Sequence, residues 1–219
     1  MGGRVIVSLL IPLLILSGCM SFVRTTTTNF HAPGHEARGS IFVVAADANV
    51  NSSLEFQSYK TKIEVKLITT GYTIAQSVEE ANFIAMVSYG IDNGKTSIVS
   101  TPIFGQTGGG TTYSSGTVYG AGSSASYSGS SYTMPSYGVV GSSTSSVTQY
   151  TRAVAIDIVE AQGLKDGIIN KKYEIRAKST GSCSVIAEVF DEILEAMFKE
   201  FPGNNGGSKT IDIPGKFNC

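Results

Sequence analysis

The chain has no tryptophan, two histidines and three cysteines among its 219 residues, and only 15% of those residues are charged. Each scarcity excludes something. Both histidines, His31 and His35, fall in one segment with Pro33 and Gly34 between them. A serine or cysteine nucleophile elsewhere therefore has no activating imidazole in its own part of the chain. His-x-x-x-His would place two rings on one helical face, but Pro33 and Gly34 oppose that helix, so solvated residues and no metal are expected there. A net charge of −1, with the signs interspersed, lacks the basic face that a nucleic-acid partner requires. Beyond the first twenty residues no run reaches the roughly 18 apolar residues of a membrane-spanning helix. From Thr96 to Thr151 there is no charged residue at all.

What is present begins at the N-terminus. Arg4 precedes an apolar run, Val5 to Leu16, of about a dozen residues, too short to span a bilayer and suited to a secretory signal. Leu16-Ser17-Gly18-Cys19 resembles the bacterial lipobox, which implies removal of residues 1–18 and acylation of Cys19 as the mature N-terminus. Several acyl chains at about 0.8 kcal/mol per buried CH₂ hold firmly, so the membrane partner is reached through a lipid anchor. By resemblance to enterobacterial lipoproteins, where Asp after the Cys favours inner-membrane retention, Met20 implies the outer membrane, facing the periplasm.

With Cys19 committed to lipid, Cys183 and Cys219 remain in a compartment that permits oxidation. A bridge between them would close a loop worth about 3 to 4 kcal/mol in the chain-entropy model; two free thiols are the alternative. Residues 19–39, with Thr25 to Thr28 in a run and no apolar periodicity, read as a tether. The folded domain is expected over 40–219. It opens with the β-rich run Ile41 to Ala46. Ser52 as N-cap and Glu55 at N3 then start a helix carrying Leu54, Tyr59, Ile63, Leu67 and Ile68, which ends at Gly71. Tyr72 to Ala75 reads as a short strand. Asn82 to Ile91 reads as a strand, and Asp92-Asn93-Gly94 signals a hairpin to a partner from Lys95 to about Phe104.

Gly105 to Ser146 is rich in Gly, Ser and Thr and punctuated by Tyr113, Tyr119, Tyr127, Tyr132 and Tyr137. Three readings stand side by side: a flexible insertion, an ordered hairpin arm for packing or self-association, and a membrane-inserting hairpin of an oligomeric barrel. For the arm, Tyr113, Tyr119, Ala121, Ala125 and Tyr127 share odd numbering, which would gather aromatic groups on one face. Beyond it, Tyr150 to Ala161 reads as a central strand. Lys172 to Lys178 alternates Tyr173, Ile175 and Ala177 with charged residues, a strand with one face to water. Ser184 to Phe201 reads as an apolar-striped helix stopped by Pro202 and Gly203. Asp157, Glu160, Asp166 and Glu174 are the carboxylates from which a glycosidase-like pair could be drawn, yet spacing alone brings no two of them across a cleft. Gly108-Gly109-Gly110 lacks the lysine of a phosphate loop. No cofactor is implied.

The order of strand, helix, Ala81-Asn82-Phe83-Ile84-Ala85, Tyr150-Thr151-Arg152, Tyr173-Glu174 and Phe201-Pro202-Gly203 resembles the lipoproteins of domain-of-unknown-function family 4136, over roughly Gly39 to Gly203 without the insertion. The family has no settled activity, so the resemblance transfers no catalytic residue. The layout also looks like the periplasmic α+β domain of lipoprotein activators of peptidoglycan synthases and of the curli-secretion lipoprotein, which would imply protein-binding or pore-forming roles. The expected architecture is α+β, an antiparallel or mixed sheet of about five strands with two helices on one face and a long Gly/Ser/Thr/Tyr-rich insertion. The expected role is that of a non-catalytic envelope module binding a protein or peptidoglycan. The alternative is a subunit of a secretion or assembly complex that forms a homo-oligomer through the 105–146 arm.

Overall fold

The computed structural model describes residues 21–165, 167–215 and 219. The strands are β1 (Ser21–His31), β2 (Ser40–Ala45), β3 (Thr73–Ile74), β4 (Phe83–Ile91), β5 (Lys95–Gly120), β6 (Ser123–Glu160), β7 (Lys171–Gly181) and β8 (Ser208–Gly215). The helices are α1 (Leu54–Thr69), α2 (Ala161–Lys165) and α3 (Phe190–Phe198), with 3₁₀ turns at Ala48–Val50 and Ile186–Glu188. The chain divides into two compact units, Asn93–Gln149 and the remainder.

In the larger unit the strand order is β3-β2-β4-β6-β7-β1-β8. β2 runs parallel to β3 and β4, and all other neighbours are antiparallel. The parallel step from β2 to β4 requires a crossover, and α1 supplies it. Ser53 caps α1 by accepting the Phe56 N–H at 3.0 Å. Phe56, Tyr59, Ile63 and Leu67 then face the sheet. α3 lays Phe190, Ile193, Leu194 and Met197 against the same core, where Phe190 stacks on Tyr59 with ring centroids 3.8 Å apart. Lys62 pairs with Asp191 at 2.7 Å, and Lys66 with Glu195, across the outside of the two helices. On the opposite sheet face a smaller cluster, Ala81, Ile84, Val159 and Ala161 with Phe42, Met86 and Leu164, covers one end.

Several expectations are corrected here. The architecture is predominantly sheet, with eight strands and three α-helices among the described residues, rather than about five strands and two helices. The tether reading of 19–39 gives way to β1, which lies between β7 and β8. Its inward residues are Val23, Thr25, Thr27 and Asn29, so the period-two pattern is carried by hydroxyls and an amide, and hydrophobicity alone does not register it. The α1 cap is Ser53 in place of Ser52, and Leu54 and Ile68 are exposed. β4 pairs with β2 and β6, and β5 with β6, so Asp92-Asn93-Gly94 does not close a β4–β5 hairpin. The helix read from Ser184 begins at Phe190, because Val185 and Val189 hold φ of −119° and −128°, outside the helical range.

Ile156 and Ile175 are directly paired at the sheet centre, and both are fully buried. Ile156→Ala is expected to destabilise the chain by about 3 kcal/mol, measured as a lowered urea midpoint with unchanged slope.

Candidate interaction surfaces

The unit Asn93–Gln149 is a two-stranded ribbon. β5 and β6 pair from Lys95↔Gln149 to Gly120↔Ser123, and Ala121 and Gly122 close the end, with Gly122 at φ 81°. β5 has 26 residues, about 85 Å at ~3.3 Å per residue. Residues 105–146 are thus paired strand and tight turn, and the flexible-loop reading is replaced. Register shifts fall at Ile103/Phe104, Gln106/Gly108 and Gly108/Gly110. At the last of these Gly109 sits at φ 82°, and a Cβ there would lie 2.3 Å from the Met134 carbonyl oxygen, so only glycine fits.

The expected gathering of Tyr113, Tyr119, Ala121, Ala125 and Tyr127 on one face is corrected by the register. Directly opposed residues share a face, and here Thr111 meets Tyr132, Tyr113 meets Ser130 and Tyr119 meets Ser124. The two-residue turn inverts parity, so odd positions of β5 share a face with even positions of β6. Tyr113, Tyr119 and Tyr132 lie together, while Tyr127 lies on the other face opposite Gly116, its ring 2.7 Å from where a Cβ of Gly116 would sit. Tyr137 faces Gln106 between the first and second register shifts. All five tyrosines are exposed, Tyr113 at 82%, and so are Ile98, Phe104, Met134 and Val139.

In the larger unit the sheet face away from α1 and α3 is partly uncovered. It carries a trough of about 580 Å³ in which Ser88, Gly90, Ala153 and Ala155 present little or no side chain, with Thr26, Thr28, Arg176 and Lys178 around them. Asp157 is paired with Lys171 at 3.0 Å and with Arg176, and Glu174 lies 3.5 Å from Arg176. Glu160 pairs with Lys172 at 2.8 Å, and that hydrogen bond holds its carboxyl below the usual carboxylate range. Three of the four carboxylates singled out in the sequence therefore sit in ion pairs, and Asp166 lies outside the described residues.

His31 and His35 meet through the turn at Gly34 (φ 78°), their ring centroids 3.7 Å apart in a stack. No metal-sized cluster of three or more His, Cys, Asp or Glu occurs among the described residues. Beside them Tyr173 donates from its hydroxyl to the Pro202 carbonyl and packs on Phe201 at 4.6 Å. The Arg38 guanidinium lies 4.9 Å from the Tyr72 ring centroid and 5.4 Å from that of Phe201. Tyr173 and Phe201-Pro202, far apart in sequence, thus build one corner of the domain. Cys183 and Cys219 are joined by a disulfide. Cys19 lies outside the described residues.

Sequence reasoning missed Arg152. It is 3% exposed and faces inward in line with Val154, Ile156 and Ile158. The period-two pattern of β6, continued one step back through the apolar positions, points to it.

The model of the family described as Domain of unknown function (DUF4136) matches residues 20–203, which includes β1. No curated protein matches the chain. Among solved structures, a PDZ domain protein from Parabacteroides distasonis is similar at 13% identity and a TM-score of 0.44. That match covers 89% of this chain and 40% of the other, so the chain spans less than half of that protein's length.

Gly109→Ala is expected to open the ribbon around the bulge. Amides of residues 106–137 should exchange faster with deuterium, while the thermal midpoint of the larger unit stays unchanged.

Proposed function

We propose, for a chain that belongs to the DUF4136 family, a non-catalytic role as a scaffold module that assembles with copies of itself through its uncharged ribbon. The observation that carries this reading is the ribbon itself: paired strand apart from three register shifts and the closing turn, without a charged residue from Thr96 to its last residue, and with aromatic and apolar groups exposed on both faces. An isolated two-stranded hairpin is marginal in water. Natural edge strands are ordinarily blunted by lysines, prolines, bulges or brevity; Pro102, Pro135 and the three register shifts interrupt the ribbon's first part, but from Gly110↔Thr133 to Gly120↔Ser123 its edges carry none of these. Pairing with the edge of another ribbon would satisfy the outward N–H and C=O groups, and stacking of a second ribbon on the aromatic face would remove Tyr113, Tyr119 and Tyr132 from water. This supports the reading of the chain as a subunit of an envelope assembly.

The address belongs to the same proposal. The apolar run followed by Leu-Ser-Gly-Cys supports lipidation at Cys19, and Met20 after it supports a position at the outer membrane facing the periplasm. No helix among the described residues is long and apolar enough to cross a membrane, which is compatible with a lipid anchor. The trough of small side chains on the open sheet face favours a second reading, a peptidoglycan or envelope-protein contact made by the larger unit.

Val99→Lys combined with Tyr119→Lys places charge at two exposed ribbon positions without touching the larger unit's core. In detergent, light scattering of the full chain is expected to fall from an oligomer to the monomer mass. A monomeric wild-type chain, or an unchanged oligomer in the variant, refutes assembly through the ribbon. Because the chain has no tryptophan, tyrosine emission gives an independent readout, with iodide quenching expected to rise as the assembly is lost. Co-sedimentation with purified peptidoglycan that survives the same substitutions would support the second reading.

A further inference from the structure

The lipid anchor read at Cys19 and the first strand of the larger unit are nearly contiguous. β1 begins at Ser21, so Met20 alone separates the two in sequence. Two peptide units hold the Cα atoms of residues 19 and 21 within about 8 Å of each other. A tether over 19–39 would let the domain stand off the bilayer, and this connection does not. Ser21 is also fixed in the sheet, since β1 pairs with β8 from Ser21↔Gly215 onward.

The corner held next to the anchor has a definite composition. Phe22 pairs with Pro214, and both are exposed, Phe22 at 50%. Phe22 and Val23 line a small cavity together with Gly181 and Cys183, so the end of β7 and the Cys183–Cys219 disulfide belong to the same corner. Arg24 donates two hydrogen bonds of 2.8 Å to the Asp212 carboxylate, and Glu192 approaches within 2.5 Å of where a Cβ of Gly215 would stand. With Arg24 paired, attachment falls to the acyl chains, at about 0.8 kcal/mol per buried CH₂. An exposed phenylalanine three residues from them suits the headgroup–acyl boundary, where interfacial anchors bury apolar groups about 5–10 Å deep. Farther along the open sheet face, Lys178, Arg176, Asp157 and Glu174 favour water over acyl chains, which confines the contact to the corner.

We propose that the β1–β8 corner is a lipid-facing surface: with Cys19 acylated, Ser21, Phe22 and Pro214 rest in the headgroup region of the bilayer, and β1 leads away from it. The inference rests on the reading of Cys19 as lipidated and adds which surface of the larger unit meets lipid. The stacked His31 and His35, at the far end of β1, then point away from the membrane.

Because the chain has no tryptophan, a single one introduced at either end of β1 reports its own depth. Phe22 and Phe30 lie on the same face of β1, at 50% and 46% exposure, and about 26 Å apart at ~3.3 Å per residue. Phe22→Trp and Phe30→Trp are made in the full chain, processed in a bacterial host and reconstituted into phosphatidylethanolamine–phosphatidylglycerol vesicles containing lipid brominated near the headgroup end of its acyl chains. Emission from the Phe22→Trp variant is expected to shift to the blue and to lose about half its intensity, as befits a ring at that boundary. Emission from the Phe30→Trp variant is expected to stay unchanged. Mass spectrometry of the N-terminal peptide reports whether Cys19 carries acyl chains. In an acylated chain, quenching at neither position, at both alike or at Phe30 alone overturns the seating and leaves the anchor reading standing. An unacylated N-terminus overturns both. If Phe22→Trp fails to fold, shown by loss of its thermal transition, Ser21→Trp takes its place with the same expected quenching.

Discussion

The ladder of β6, β7 and β1 is the constraint on which the larger unit depends. Its middle registers place Ile156 against Ile175 and Ile158 against Tyr173, under α1 and α3, with all four side chains removed from water. Each helix has its apolar stripe covered only because that ladder holds its register, since a slip by one residue would turn Arg176 and Asp157 inward and the isoleucines outward. The ion pairs on the far face follow from the same alternation. Asp157 meets Glu174 across the strands, and Lys171 and Arg176 offset that like-charge contact.

The ribbon obeys a different logic. It has no second layer and no core of its own; its regularity comes from backbone pairing, from glycines where the two strands approach or bulge, and from cross-strand contacts such as Tyr127 over Gly116. Such a structure gains little from burial within one chain. Its apolar groups acquire partners only through another surface, and for that reason the proposed assembly concerns this unit.

Legibility differed element by element, for identifiable reasons. β7 was readable because Tyr173, Ile175 and Ala177 alternate with charged residues, and α1 because its buried positions fall at helical spacing. β1 was not, since Thr25, Thr27 and Asn29 occupy the inward positions that an apolar pattern would mark. The β4–β5 hairpin was misread because a strong turn signal specifies a reversal and not the strand that pairs after it. Parity on the ribbon was misread for a related reason: odd and even numbering survives along a strand, but a two-residue turn exchanges the faces.

By itself the sequence determined local matters: the apolar run just before Cys19, the apolar stripes of the helices, the uncharged composition of the segment from Thr96 to Thr151, and the absence of a histidine outside one short stretch. These depend on residues a few positions apart. Only the tertiary structure decided that β1 threads between β7 and β8, that His31 stacks on His35, and that Arg152, Ser179 and Thr25 share one buried row. Register between strands more than a hundred residues apart is set by burial of whole faces together, and no window of sequence contains that sum. The same holds for the uncharged segment: a stretch with no charge can be loop, arm or barrel strand until pairing gives it two faces and two open edges.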